Sequence, residues 1–223
     1  MKEAPAGVLA RGAVAAARNA CGLVEDAELL CGAGRLARAF SLAGLAVEEV
    51  GKADSLAALA AMPKNLRARA PVGRMLDWHQ LKLVAGQLTA AVPFSPPGKA
   101  TRFVTMPASE AAQILDNAQA FAEDMDRLKQ RGLYVDVDRS GHVREPSEVT
   151  AAEVREQLDR AWHATSAVDA LLKPGGSAII ARPGPDDFEF SRAVVSAFGE
   201  TGFARSPEAA ADVLRNAITK LRG

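Results

Sequence analysis

One stretch of the chain, residues 64–82, combines the residue types that bind and cleave phosphodiesters. It holds five basic residues and one acidic residue, although the whole protein is balanced at 27 Lys and Arg against 27 Asp and Glu. It also contains a histidine, the side chain best suited to move a proton near neutral pH. The residues concerned are Lys64, Arg67, Arg69, Arg74, Asp77, His79 and Lys82. Such a positive surface suits a phosphodiester substrate, and a solvated helix face with a structural histidine is the alternative interpretation.

The spacing of these residues limits how they could act together. Arg74 and His79 are separated by four residues, so on a helix their side chains point about 140° apart. One helix therefore does not direct both side chains at one atom. Lys82 follows His79 by three residues and shares its face, which makes Lys82 a candidate phosphate contact.

Two further pairs of polar residues lie in the first two predicted helices. Glu48 and Lys52 are four residues apart, in the order that favours an ion pair along a helix, and we interpret them as a surface salt bridge. Asn19 and Asp26 recur on one helical stripe together with leucines, which places them inside an apolar face. We interpret these two as structural residues that hydrogen-bond a neighbouring helix and fix its register.

Motifs of other chemistries are absent or incomplete. His79, His142 and His163 lie far apart, and neither cysteine is near one with ligand spacing. We therefore expect no metal site and no cofactor. Residues 136–141 imitate the start of a calcium-binding EF-hand loop, but its twelfth position is Ser147 instead of glutamate, so we interpret the segment as a turn. Nucleotide-binding and hydrolase motifs are also missing from the sequence.

The composition is that of an ordinary globular protein in a reducing compartment. Apolar residues make up 48% of the chain and charged residues 24%, and no apolar run approaches the roughly 18 residues of a membrane span. Cys21 and Cys31 fall in one predicted helix, about 15 Å apart along its axis, which is too far for a disulfide. Two unpaired thiols suit the cytoplasm, where we expect a soluble protein.

The elements that position the candidate residues are almost all helices. Periodicity and stop signals predict helices at about residues 6–31, 35–61, 72–92, 107–131 and 150–172, followed by two shorter ones at about 188–199 and 207–221. Residues 133–137 alternate with period two, which predicts a short strand that turns at Ser140 and Gly141. Thr150 and Glu153 form a predicted capping box. The fold class is therefore an all-α bundle with a short strand and turn insertion.

Domain organisation follows from the proline and glycine content. We expect a bundle over residues 1–172, a linker over 173–186 and a separable helical extension over 187–223, because few contacts cross such a boundary. Within the bundle, the second helix has apolar stripes on nearly opposite sides. It must be buried on both, either inside the bundle or against another subunit.

Five segments in order resemble the AbiV family of bacterial abortive-infection (anti-phage) proteins. The first is Arg18-Asn19-Ala20. The others, in one-letter code, are EDAELL at 25–30, AVEEVGK at 46–52, DWHQLKL at 77–83, and RGLYVD at 131–136 followed by PSEVT at 146–150. The resemblance spans about residues 10 to 172. The last fifty residues resemble no family that we recognise.

The AbiV family is similar to the HEPN superfamily of helical bundles, which includes many metal-independent ribonucleases of defence systems. Arg74 and His79 match the signature of that superfamily, which is an arginine, then four to six residues, then a histidine. In active enzymes Asn, Asp or His usually follows the arginine, whereas this chain has Met75. The resemblance implies attack by the 2′-hydroxyl of RNA, with His79 as general base or acid and Arg74 stabilising the phosphate. It also implies a homodimer in which two motif copies line one cleft.

The candidate site therefore contains residues of three kinds. Arg74 and His79 are the catalytic candidates; Lys82, Arg67 and Arg69 are the substrate-binding candidates; and Asn19, Asp26, Glu48, Glu49, Lys52 and Asp77 are the supporting polar residues. The implied partners are a second copy of the chain, RNA, and a phage or host protein trigger, with no membrane. The alternative is a non-catalytic HEPN module that blocks translation by binding a phage or host protein, and Met75 favours it.

Overall fold

Helices account for nearly all of the secondary structure in the part of the chain that can be described. The computed structural model describes residues 4–68, 78–92, 105–133, 136–137, 140–144, 149–176, 192–193, 196 and 207–222. Its helices are α1 (Ala6–Gly32), α2 (Leu36–Ala61), α3 (Lys64–Arg67), α4 (His79–Ala91), α5 (Ala108–Leu133), α6 (Ala151–Ser166), α7 (Asp169–Leu172) and α8 (Pro207–Arg222), and its strands are β1 (Asp136–Val137) and β2 (Val143–Arg144). The all-α prediction is confirmed.

Small side chains allow α1 to pack closely on α2. The buried face of α1 is mostly alanine, so the two helix backbones approach each other and form the most extensive helix pair among the described elements. The chain reverses between them at Gly34, whose φ of 71° lies in the left-handed region that glycine adopts at little cost. This reversal makes α1 and α2 antiparallel neighbours.

Helix α2 is the centre of the bundle. It packs against α1, α4, α5 and α6, and most of its residues are buried. Leu56, on the second apolar stripe of the helix, is buried against α1 at Gly12. Leu42, on the same stripe, is half-buried against the core. Both apolar sides of α2 are therefore covered largely within one chain, so the two-sided pattern does not by itself require a dimer.

The structure describes the later part of the third predicted helix and, before it, a short helix in a stretch where none was predicted. Helix α3 starts directly after Pro63, which is its N-cap residue. Helix α4 begins at His79, later than the predicted start near residue 72. Residues 69–77 lie outside the described part of the chain, so the prediction of a helix there stays a prediction.

The hairpin and the capping box confirm two local predictions. Strands β1 and β2 pair antiparallel, with Asp136 opposite Arg144, and Gly141 between them has a φ of 82°. At the start of α6 the Thr150 hydroxyl accepts from the Glu153 amide at 3.3 Å. In return, the Glu153 carboxylate accepts from the Thr150 amide at 2.7 Å. Helix α6 ends at Ser166, six residues before the predicted end, and the short α7 follows.

The C-terminal helix α8 packs onto the bundle. Its buried apolar residues Val213, Leu214, Ala217 and Ile218 belong to the same hydrophobic core as α1, α2, α4, α5 and α6, and it contacts α5 and α4. An ion pair of 2.8 Å joins Arg215 on α8 to Asp116 on α5. The expectation that few contacts cross to the C-terminal extension is therefore wrong, because one face of α8 is apolar and needs a partner surface. The predicted domain boundaries themselves stay a prediction, since residues 177–191 are not described.

None of the helices in the described part of the chain combines the length and the apolar character needed to cross a membrane.

Candidate active site

His79 is held at the surface by its position at the first turn of α4. The preceding residue, Trp78, is the N-cap of the helix and is buried in the core. The backbone of Trp78 is extended, and the helix begins with the next residue, His79. The His79 side chain is 57% exposed. An imidazole in this position can reach a ligand that approaches from outside.

A buried carboxylate lies directly behind this imidazole. Glu48 stands in the middle of α2, and its side chain is only 6% exposed. Its Oε1 atom is 2.6 Å from Nδ1 of His79 and 2.8 Å from Nζ of Lys82. One carboxylate oxygen therefore bridges two side chains of α4, and we name Glu48, His79 and Lys82 the bridged cluster.

Two glycines bring the helices close enough for this contact. A methyl group on Gly51 of α2 would lie 1.7 Å from the carbonyl oxygen of Lys82, and one on Gly86 of α4 would lie 2.3 Å from the carbonyl oxygen of Val47. Both distances are far shorter than any real contact, so only glycine fits at either position. Residue numbers fall along α4 as they rise along α2, so the helices cross antiparallel. Glu48 lies one turn before Gly51 and meets the first turn of α4.

The bridged cluster compensates its own buried charge. The Lys82 side chain is 8% exposed, and a buried ammonium is strongly destabilising without a partner. The carboxylate of Glu48 is equally buried and is the partner. The opposite charges of the two groups form a neutral pair.

The same contact fixes which nitrogen of His79 carries the proton. An ionised carboxylate can only accept hydrogen bonds, so Nδ1 of His79 must be the donor to Glu48. A neutral imidazole then has its lone pair on Nε2, the nitrogen away from α2. A carboxylate that holds an imidazole in this way orients a general base. The arrangement can therefore remove a proton from a ligand hydroxyl that reaches Nε2.

The predicted ion pair between Glu48 and Lys52 is not formed. Lys52 instead bonds Glu49, three residues earlier, with its Nζ atom 3.1 Å from Oε1. Glu48 is drawn away because it faces α4 and is buried there. The prediction of a surface salt bridge on α2 was thus wrong, because Lys52 pairs with Glu49 and not with Glu48.

The prediction that Asn19 and Asp26 lie inside an apolar face was also wrong. Both residues are exposed, and the buried face of α1 is the neighbouring stripe that includes Ala20 and Ala27. The two stripes are close in angle, and α1 packs on α2 through the side chains small enough for close approach. Asn19 and Asp26 lie on α1, and no described contact joins them to the bridged cluster.

The predicted substrate-binding residues differ in what they contact and in whether the structure describes them. Lys82 shares the face of His79 as expected, but its ammonium is bound to Glu48 and buried. Arg67 directs Nη1 to the backbone carbonyl of Met62 at 3.0 Å, which caps the end of α2. Arg69, Arg74 and Asp77 lie outside the described residues. Their predicted roles, and a phosphate contact by Lys82, stay predictions.

Glu48 was predicted as a supporting polar residue of the site, but its burial against another helix had a further signal in the sequence that motif reasoning missed. Ser41, Gly44, Glu48, Gly51 and Ser55 recur at intervals of three and four residues, and all are buried. Glycine costs about 1 kcal/mol in a helix interior, so a stripe of small residues that includes two glycines indicates close packing. A glutamate in the middle of that stripe must have a partner on the neighbouring helix.

Among the described residues, no group of three His, Cys, Asp or Glu is arranged to hold a metal ion. Cys21 and Cys31 are both free and half-buried. Burial raises the pKa of the Cys21 thiol, and the negative charges of Asp169 and Glu25 raise it further. This thiol is therefore less reactive than an ordinary exposed one.

The comparison with protein families agrees with this geometry. A model of the HEPN_AbiV family, described as AbiV, matches residues 8–164. The match includes α1 to α5 and most of α6, and with them the bridged cluster, but not α8. No curated protein and no solved structure matches the chain. The matched region covers well over half of the sequence, and the chain belongs to the HEPN_AbiV family.

Proposed function

We propose that this protein is a cytoplasmic abortive-infection effector that cleaves RNA without a metal ion. The observation that carries the proposal is the contact between His79 and Glu48, which holds a solvent-exposed imidazole in the orientation of a general base. Family membership supports the defence role. The match of Arg74 and His79 to the HEPN signature supports the choice of reaction.

The reaction requires only groups that the chain and its substrate supply. Nε2 of His79 takes the proton of a ribose 2′-hydroxyl, and the 2′-oxygen then attacks the adjacent phosphorus. The bond from phosphorus to the 5′-oxygen breaks, which leaves a 2′,3′-cyclic phosphate on one fragment. The departing 5′-oxygen takes a proton from a second acid and becomes a 5′-hydroxyl. Arg74 balances the negative charge that develops on the phosphate oxygens.

A homodimer provides the second acid in this proposal. A two-fold axis near the start of α4 would place two copies of the signature in one cleft. His79 of one subunit then acts as base while His79 of the partner subunit, protonated, acts as acid. Leu45 is a half-buried leucine of α2, and Leu45→Glu tests whether that side of α2 forms the interface. A folded, monomeric and inactive variant in sedimentation supports the composite cleft, whereas a wild type that cleaves RNA as a monomer contradicts it.

The second candidate function is a non-catalytic module that binds a phage or host protein. Met75 favours it, because active enzymes of the superfamily usually have Asn, Asp or His at this position. In that case the bridged cluster joins α2 to α4 and His79 takes part in no proton transfer. The two candidates differ in whether replacing His79 abolishes RNA cleavage.

The test is inducible expression of wild type, His79→Ala and His163→Ala in bacteria, with and without phage infection. His163 is an exposed histidine of α6 and provides a matched control. We expect growth arrest and RNA fragments with 2′,3′-cyclic phosphate ends for wild type and His163→Ala only. Purified protein should give the same fragments in excess chelator. Growth arrest by His79→Ala with intact RNA would favour the binding module.

A further inference from the structure

The outer face of α1 takes no part in the packing described above or in the proposed reaction. The helix packs on α2 through a face that is mostly alanine, and the residues on the opposite side are turned to solvent. A stripe along that side consists of seven exposed residues and one half-buried glycine. We name it the outer stripe of α1, and its members are Val8, Arg11, Ala15, Arg18, Asn19, Gly22, Asp26 and Leu29.

The outer stripe has the same spacing when it is followed from either end. From Val8 forward to Arg18 the intervals are three, four and three residues, and from Leu29 back to Asn19 they are again three, four and three. The residue types at matching positions suit each other, apolar with apolar, basic with acidic, small with small, and arginine with asparagine. The matching pairs are Val8 with Leu29, Arg11 with Asp26, Ala15 with Gly22, and Arg18 with Asn19.

We propose that the outer stripe of α1 binds the outer stripe of a second copy of the chain, with the two helices antiparallel. The two-fold axis passes between Arg18 and Asn19, so each member of the stripe meets its matching residue in the partner. A two-fold interface is formed by the same patch on both subunits, and every contact in it occurs twice. Arg11 thus faces Asp26 of the partner subunit at both ends of the interface.

The charges of the outer stripe favour this direction of pairing. Arg11 and Arg18 lie in the first half of α1, whereas Asp26 and the adjacent exposed Glu25 lie in its second half. A parallel pairing would place like charges opposite each other, and an antiparallel pairing places opposite charges together. None of the side chains of Arg11, Arg18, Asn19 and Asp26 forms a hydrogen bond or ion pair with another residue that the structure describes.

The uncharged members of the outer stripe allow two helices to approach and give them apolar contacts. Ala15 and Gly22 carry at most a methyl group, and a methyl group added to Gly22 would meet no atom within 4 Å. Near the ends of the stripe, Val8 is 48% exposed and Leu29 is 73% exposed. Covering these two side chains removes apolar surface from water, which favours association.

The outer stripe lies away from the bridged cluster. On α2, Gly51 faces α4, whereas Leu56 faces α1 at Gly12, and these two positions are about 140° apart around the helix. The outer stripe is on the side of α1 that faces away from α2. This second interface therefore depends neither on the chemistry of His79 nor on the dimer proposed near the start of α4.

The experiment uses two single substitutions in the full chain, Arg11→Asp and Asp26→Arg. Either one alone places like charges opposite each other twice, and it should raise the dissociation constant of the association through α1 about tenfold or more. An equimolar mixture of the two variants combines an acidic stripe with a basic one, so the two should associate about as strongly as wild type. Arg155→Asp, at an exposed position of α6, is the matched control and should change nothing.

Association is measured by sedimentation across micromolar concentrations, in the wild-type and in the Leu45→Glu background. The second background removes the interface proposed near α4, which otherwise adds to the association. Because one helix pair is a small interface with exposed charges, we expect it to be weak and sensitive to salt. Leu45→Glu should therefore associate through α1 at low salt and be monomeric at high salt, which is the condition that tests the cleft alone.

The decisive outcome is the behaviour of the mixture. If the two variants together associate no better than either one alone, or if each alone associates like wild type, the antiparallel pairing is refuted. Leu45→Glu protein that stays monomeric at low salt also overturns the inference. Leu29→Ser keeps every charge and should weaken the association at low salt, and an unchanged dissociation constant there contradicts the apolar contact. Circular dichroism confirms that each variant keeps the helix content of wild type.

Discussion

Two adjacent glutamates of α2, Glu48 and Glu49, show how differently one residue type is used. Glu48 is buried and bridges two side chains that lie 31 and more residues away in the chain. Glu49 is at the edge of the same helix and bonds Lys52, three residues further on. A rotation of about 100° around the helix separates the two, and that rotation decides between a tertiary contact and a local one.

The difference teaches that burial, and not residue type, sets the strength of an ion pair and whether the pair joins two helices or lies within one. Water and salt screen the pair of Glu49, and exposed pairs typically contribute no more than about 1 kcal/mol. The pair of Glu48 is shielded from water, so each partner offsets part of the cost of burying the other. The predictions below test this contrast from the largest expected effect to the smallest.

The largest effect is expected from removing one partner of the buried pair. Lys82→Ala removes the ammonium that pairs with the buried carboxylate of Glu48, and we expect it to lower the free energy of unfolding by about 3–5 kcal/mol. Urea denaturation measures this. Glu48→Gln/Lys82→Met removes both charges and should recover most of the stability, whereas a loss as large as that of Lys82→Ala would mean that packing, and not charge, dominates.

A slightly smaller effect is expected from separating the helices that carry the pair. Gly51→Ala places a methyl group against the carbonyl oxygen of Lys82 and should cost about 3 kcal/mol, because backbone atoms cannot move aside as a side chain can. Gly22→Ala on α1 is the control, since a methyl group there meets no atom within 4 Å. That variant should be neutral or more stable by up to about 1 kcal/mol. Equal effects of both variants would contradict a tight crossing.

The contrast between buried and surface contacts extends to α8. Ile218→Ala removes apolar volume from the shared core and should cost about 2 kcal/mol or more. Arg215→Ala breaks the surface pair with Asp116 and should cost less than about 1 kcal/mol. Thermal and urea unfolding should each show one transition for the whole chain. A second, independent transition for the C-terminal part would instead support the prediction of a separable extension.

The smallest effect is expected from the local pair of α2. Glu49→Ala should change the free energy of unfolding by less than about 1 kcal/mol, and less at high salt, because the pair with Lys52 is partly exposed. Denaturation at low and high ionic strength measures both. A loss comparable to that of Lys82→Ala would mean that Glu48 and Glu49 are not used differently after all.

Local signals in the sequence predicted the elements well. The bounds of α1 and α2 lie within about one residue of those predicted, because a glycine stop and Pro63 mark their ends chemically. The Thr150 capping box fixed the start of α6. The predicted end of that helix was wrong by six residues, since no proline or glycine marks Ser166, where a two-residue turn separates α6 from α7.

Long-range pairing was not predictable in the same way. The spacing of Glu48 and Lys52 satisfied the rule for a helical ion pair, but that rule assumes that no stronger partner exists elsewhere. The two-sided apolar pattern of α2 likewise left open whether the residues that bury its two sides belong to the same chain or to another subunit. Only the positions of α1, α4, α5 and α6 decided this.

The sequence by itself therefore determined the all-α class, the main helices, the hairpin turn and the membership of His79 in a candidate site. Each of these depends on residues that are neighbours in the chain, whose interactions do not change with the fold. The tertiary structure decided that Glu48 holds His79, that Lys82 is buried and that α8 joins the core. Those contacts join residues far apart in sequence, and the ones between α2 and α4 require the glycines that let the two backbones touch.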